Sequence, residues 1–224
     1  MFMKNINKGR KENRSVIKTK RRLKDGIISL LKERPASEIT VKELCDLVDI
    51  NRGTFYYHYT DIYDMINKIE EEFFEDFSEI LDFITTRAEK NKRDKDGIED
   101  SREEGVIDPS LIIEKVFEFF DKNAELSSVL IGPFGDISFL QRLKELVDDK
   151  ISDVWVDAGS HMDEAEYELF NSFIINGYIG LLQTWLKTGR KQSAKYMANF
   201  VANIIIPAAV NTLAIDENAY KQEV

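Results

Sequence analysis

The stretch from Thr40 to Asp61, TVKELCDLVDINRGTFYYHYTD, constrains this chain more than any other. Within it Val41, Leu44, Cys45 and Val48 recur at i, i+3, i+4 and i+7, the apolar stripe of one short helix. Thr40 stands before that stripe with Glu43 three residues on, the spacing of a capping box. Asp49 and Ile50 break the pattern. Asn51 is then placed to cap a second short helix, whose exposed positions include Arg52, Thr54, Tyr57 and His58. Two short helices joined by a tight turn, the second rich in donors and aromatic hydroxyls, predict a helix-turn-helix.

Such a unit meets phosphate, so the charge balance matters. The net charge of -10 is the wrong sign for a nucleic-acid binder until it is divided along the chain. Residues 1–24 hold ten Lys or Arg and one acidic residue, a balance of +9 that leaves -19 on the other 200 residues. A basic end facing phosphate and an acidic body turned away from it fit that asymmetry. Residues 1–14 lack apolar periodicity and read as a basic arm able to add phosphate or minor-groove contacts, or as a plain tail.

The rest of the chain reads as helix. The first helix spans about Ser15 to Lys32, buries Leu23, Ile27, Leu30 and Leu31, and ends before Pro35; Gly26 within it suits close approach by another backbone. Asp61 caps a connecting helix over 62–86, with Ile62, Ile66, Ile69, Phe73, Phe77, Leu81 and Ile84 on one stripe. Residues 89–108 are mostly charged, carry two glycines and read as a flexible linker. Further helices are expected from Pro109, from Phe139 to about Val156, over 165–187 and over 193–213, with a loop or short helical turn at Leu126–Gly135 and Pro207 kinking or ending the first part of the last helix. The fold class is all-α. The domain division is 1–60 for the arm and helix-turn-helix and 61–224 for a helical regulatory and dimerisation part. The apolar run from Phe200 to Ala209 is too short to span a bilayer, and no secretory signal precedes the first helix, so a cytoplasmic location with no membrane partner is expected.

A duplex major groove admits one helix, and side chains near that helix's start read base edges. Arg52 has the fork geometry for guanine O6 and N7, a pairing that discriminates by about 1–3 kcal/mol. Thr54 suits a thymine methyl or a phosphate, and Tyr57 and His58 can donate to phosphate oxygens. Helix N-termini at Thr40 and Asn51 offer backbone N–H groups to phosphates.

The run ITVKELCDLVDINRGTFYYHYTDIYDM, residues 39–65, resembles the DNA-binding signature of the tetracycline-repressor (TetR) family of bacterial regulators, and the likeness extends back through Thr19–Arg34. The resemblance implies a three-helix DNA-binding domain, a fourth helix leading to a ligand-sensing domain, and a homodimer built from the last two helices. It places Thr40, Lys42, Asn51, Arg52, Thr54, Tyr56, Tyr57 and His58 where family members touch double-stranded DNA, and Phe55 and Tyr59 in the core. Many members carry a lysine at the start of the fourth helix, where this chain has Ile62. Residues 177–200, GYIGLLQTWLKTGRKQSAKYMANF, are more weakly similar to regulators of dihydroxyacetone kinase.

The implied function is a transcriptional repressor that binds a near-palindromic operator and is controlled by a small-molecule effector. The alternatives are control by a protein partner, or an activator. Candidate effector-pocket walls are Phe117, Phe120, Phe134, Phe139, Trp155, Phe173, Tyr178 and Trp185. No catalytic residue, cofactor or metal site is expected. Two histidines and the single Cys45 cannot build a usual metal cluster, and neither a Gly-rich phosphate loop nor G-x-S-x-G is present.

Overall fold

The computed structural model describes residues 14–93, 109–156 and 163–213, with side chains described for all of these except 83–93, 109–112, 150–156 and 205–213. The described residues form nine α-helices and one 3-10 turn, and no strand occurs among them. They fall into two compact units, one ending at Ile69 and one beginning at Glu70. The all-α expectation holds.

In the first unit, α1 (Arg14–Leu31) buries Leu23, Ile27, Ile28, Leu30 and Leu31, and a 3-10 turn (Ala36–Glu38) follows Pro35. Next come α2 (Val41–Val48), α3 (Arg52–His58) and the start of α4 (Ile62–Arg93). Its core is Leu23, Ile27, Leu44, Cys45, Phe55, Tyr59, Ile62, Met65 and Ile69. Gly26 is buried against side chains rather than a backbone. A Cβ there would lie 2.3 Å from Val48 Cγ1 and 3.0 Å from Leu44 Cδ1.

The helix α4 runs seven residues past Thr86, into the first five residues of the expected linker. Its last turns read RAEKNKR, with neither Gly nor Pro and mostly strong helix formers. The remainder of that linker, 94–108, and the basic arm through residue 13 lie outside the described residues.

In the second unit, α4 contributes Phe73, Phe77 and Leu81 to a core shared with α5 (Pro109–Lys122) and α7 (Ile137–Val156). Phe73 alone lies within 4.9–5.6 Å, ring to ring, of Phe119, Phe120 and Phe139. The apolar stretch after α5 forms α6 (Ala124–Leu130) and then a turn through Gly132 and Gly135. The chain finishes, as described, in α8 (Glu164–Lys187) and α9 (Ala194–Leu213). An Asp163–Glu166 capping box starts α8, and Gly189, with φ +83°, turns the chain away after it. Pro207 does not end α9, which continues through it to Leu213.

Candidate nucleic-acid interface

The helix-turn-helix is assembled from local polar contacts over a small core. Thr40 Oγ1 accepts the Glu43 N–H at 3.2 Å and starts α2. The reciprocal half of the expected capping box is replaced, because the Glu43 carboxylate is taken by the Arg34 guanidinium. Asp49 ends α2 in the left-handed region, at φ 50°, a conformation that Asp tolerates better than most residues. Arg22, reaching across from α1, donates to the carbonyls of Val48 and Asp49, so it neutralises the carbonyl end of α2. Asn51 then caps α3, its Oδ1 accepting the Gly53 N–H at 2.7 Å.

Only seven residues long, α3 is anchored by Phe55, which is fully buried, and by Tyr59 just after it, their rings 5.6 Å apart. Burying the Phe55 ring contributes about 1.5–3 kcal/mol. Everything else on the helix faces outward or sits at the margin. Arg52, Thr54 and Tyr56 are exposed, Tyr57 is 81% exposed, and His58 is half-buried with its ring 5.0 Å from that of Tyr57. Thr40, Lys42 and Asn51 are also exposed. Ile62 is buried in the core of this unit and presents nothing to a phosphate.

Two polar side chains here escape a reading of spacing alone. Arg22 belongs to the basic run of α1, yet it is committed to α2. Lys68, on the second turn of α4, donates to the His58 carbonyl at 3.2 Å and to Asp64 Oδ2 at 3.0 Å. The Asp64 half of that contact is legible as an i, i+4 pair; the His58 half is not. Asp64 is held below the usual carboxylate range chiefly by the Thr60 backbone N–H, and then by Lys68. Cys45 lies in the apolar core, and burial raises its thiol pKa. That environment suppresses thiolate chemistry.

The eight aromatic residues named as effector-pocket walls separate in the second unit. Phe117, Tyr178 and Trp185 form one cluster, with Phe117 5.4 Å from Tyr178 and 5.2 Å from Trp185. The buried Tyr178 hydroxyl has no hydrogen-bond partner among the described residues, and burial pushes its pKa up. Phe120 and Phe139 belong instead to the Phe73 cluster. Phe134 and Phe173 are exposed, and the Trp155 side chain lies outside the described residues. A groove of about 850 Å³ in the same unit is lined by Phe74, Glu75, Ser78, Arg142, Glu145, Leu146, Asp148 and Asp149, none of them among those eight. At its edge Arg142 stacks on Phe74, 4.3 Å from the ring centroid, and pairs with the buried Glu70 at 3.7 Å. Burial and the nearby Asp136 outweigh that pairing and raise the Glu70 carboxyl to about 7. No cluster of potential metal ligands and no helix long and apolar enough to cross a membrane occurs among the described residues.

Residues 108–207 match a TetR C-terminal family model described as a transcriptional regulator C-terminal region. No curated protein matches the chain. Among solved structures the fold is similar to a TetR transcriptional regulator from Streptococcus agalactiae 2603V, at 19% identity and TM-score 0.54, covering 86% of this chain and 96% of that one. It is also similar to the fatty acid degradation regulator FadR from Bacillus halodurans, at 13% identity and TM-score 0.57, covering 88% and 97%. A third likeness is to the dihydroxyacetone kinase operon activator DhaS, at 14% identity and TM-score 0.52, covering 87% and 98%.

Proposed function

We propose, for a chain whose fold and C-terminal region fit the TetR family of transcriptional regulators, a homodimeric repressor that reads a near-palindromic operator with α3 and answers to a small-molecule effector in its second unit. The observation that carries the DNA-reading part is the allocation of side chains on α3. Phe55 is spent on the core, while Arg52, Thr54, Tyr56 and Tyr57 stay in solvent on a capped helix. Thr40 and Lys42 at the start of α2 add donors suited to phosphate.

The homodimer is supported by a face that the chain leaves open. Leu169 and Phe173 on α8, and Tyr196, Phe200 and Ile204 on α9, are large, apolar and exposed. Among the described residues, nothing lies within 4 Å of where a Cβ would stand on Gly177 or Gly180. Two helices carrying such a face suit an isologous contact between two copies. Effector binding would then act through α4, which carries residues of both units, by favouring one arrangement of the two recognition helices over another.

Arg52 tests the readout. Arg52→Ala should weaken binding to a duplex enriched by the wild-type protein by about 1–3 kcal/mol and relax preference at one position in each half-site, measured by competition among single-position variants of that duplex. An unchanged preference at every position would remove Arg52 from base recognition.

A further inference from the structure

The recognition helix needs more than one anchor. A seven-residue helix with one fully buried ring can still tilt about that ring, and a tilt moves every base-reading side chain at once. The Asn51 cap restrains its N-terminal end. At the other end Tyr59 is buried just past the helix, and Lys68 adds a polar tether to the last carbonyl. His58 is the last residue of α3, and its carbonyl sits at the negative end of the helix dipole. Lys68 Nζ donates to that carbonyl at 3.2 Å, and its ammonium lies 5.4 Å from the centroid of the Tyr59 ring.

The lysine is itself held in place. Its Nζ donates to Asp64 Oδ2 at 3.0 Å. That same oxygen accepts the Thr60 N–H at 2.8 Å, in the link between α3 and α4. The Asp64 N–H in turn donates to Asp61 Oδ1 at 2.8 Å, which fixes the start of α4. A continuous chain of contacts therefore runs from the first turn of α4, through Asp64 and Lys68, to the last carbonyl of α3.

We propose that Lys68 is a positioning residue for base readout, its ammonium fastening the C-terminal end of the recognition helix to α4 without touching DNA. The proposal rests on α3 being the reading helix. It differs from a phosphate contact in a measurable way. A lysine bound to phosphate contributes to specific and non-specific binding alike and to the salt slope, whereas one that orients a helix contributes only where geometry is read.

The test uses the full chain and two duplexes of equal length, one enriched by the wild-type protein from a random pool and one of scrambled sequence. Lys68→Met should weaken binding to the enriched duplex roughly tenfold, the lower end of the range for a hydrogen bond to a charged group. Affinity for the scrambled duplex and the slope of log affinity against log salt should stay at wild-type values. Lys68→Arg, which keeps the donor and the charge, should recover most of the loss. The proposal is overturned if Lys68→Met binds the enriched duplex as the wild type does. It is equally overturned if the salt slope falls by about one charge, which marks a direct phosphate contact, or if Lys68→Arg fails to rescue while thermal unfolding shows both variants folded. Failure of the wild-type protein to enrich any duplex overturns the DNA-reading proposal itself, and this one with it.

Discussion

At the scale of single residues, the chain separates side chains that hold the structure from side chains left in solvent. Phe55 and Tyr56 are neighbours in sequence, yet one is fully buried and the other mostly exposed. The resemblance to the TetR signature implies that split, placing Phe55 in the core and Tyr56 beside Arg52 where family members touch DNA. Charge is less legible. Arg22 and Lys68 look like surface cations in the sequence, and each is committed to a terminal carbonyl of another helix, ten or more residues away. No spacing rule reaches across elements, so these roles required the fold. Glu70 is the sharpest case. In the sequence it is one of three consecutive glutamates on an exposed-looking run; in the fold it is buried beside Arg142, with its carboxyl raised to about 7. A carboxyl raised in the folded state binds more protons there than in the unfolded chain between about pH 4.5 and 7. Its contribution to stability is therefore full below that window and is lost as pH rises through it. Glu70→Gln should remove that loss. At pH 8 the variant should unfold on the order of 2–5 °C higher than the wild type, and at pH 4.5 the two should nearly coincide. Calorimetry at the two pH values decides it; a variant destabilised equally at both would mean that Glu70 is held as a charged ion pair.

At the scale of elements, the helices were readable from apolar period and caps, and their ends were readable only where a cap or breaker marks them. Thr40, Asn51 and Asp163 each sit at a start and each accepts a backbone N–H of the first turn. Where no such mark exists, as after Thr86, the helix simply continues to Arg93. Pro207 shows the reverse: of the two readings, kink or end, the helix excludes an end by passing through it. The seating of α1 on α2 was only partly legible. A glycine at 26 signalled close approach, but what approaches is the branched side chain of Val48 with Leu44 beside it. A methyl group there meets Val48 at 2.3 Å, and a β-branched side chain has little rotamer freedom to yield. Overpacking of this kind costs about 1–3 kcal/mol, while replacing glycine within a helix returns roughly 1 kcal/mol. Gly26→Ala should therefore lower the denaturant midpoint without changing the slope of unfolding, and it should weaken DNA binding by shifting α2. A midpoint at or above the wild-type value would show that Val48 moves aside freely.

At the scale of the whole molecule, two separate units carry two kinds of surface. The first presents donors on a capped helix over a small core; the second presents an open apolar face on α8 and α9 and a groove bordered by Arg142 and four carboxylates. The helix-turn-helix was legible in the sequence because its local geometry is encoded in a run of about fifty residues. The packing of the second unit was less so, because it brings together residues far apart in the chain. Aromatic residues chosen by type alone divide between two core clusters and the surface. Two copies of the chain are proposed to present two α3 helices to one duplex, and enrichment of bound sequences from a random duplex pool reads that arrangement out. The predicted result is a pair of inverted half-sites whose centres lie about 34–36 Å apart, or a multiple of that distance. A single half-site without its inverted repeat, or no enriched sequence at all, would contradict it.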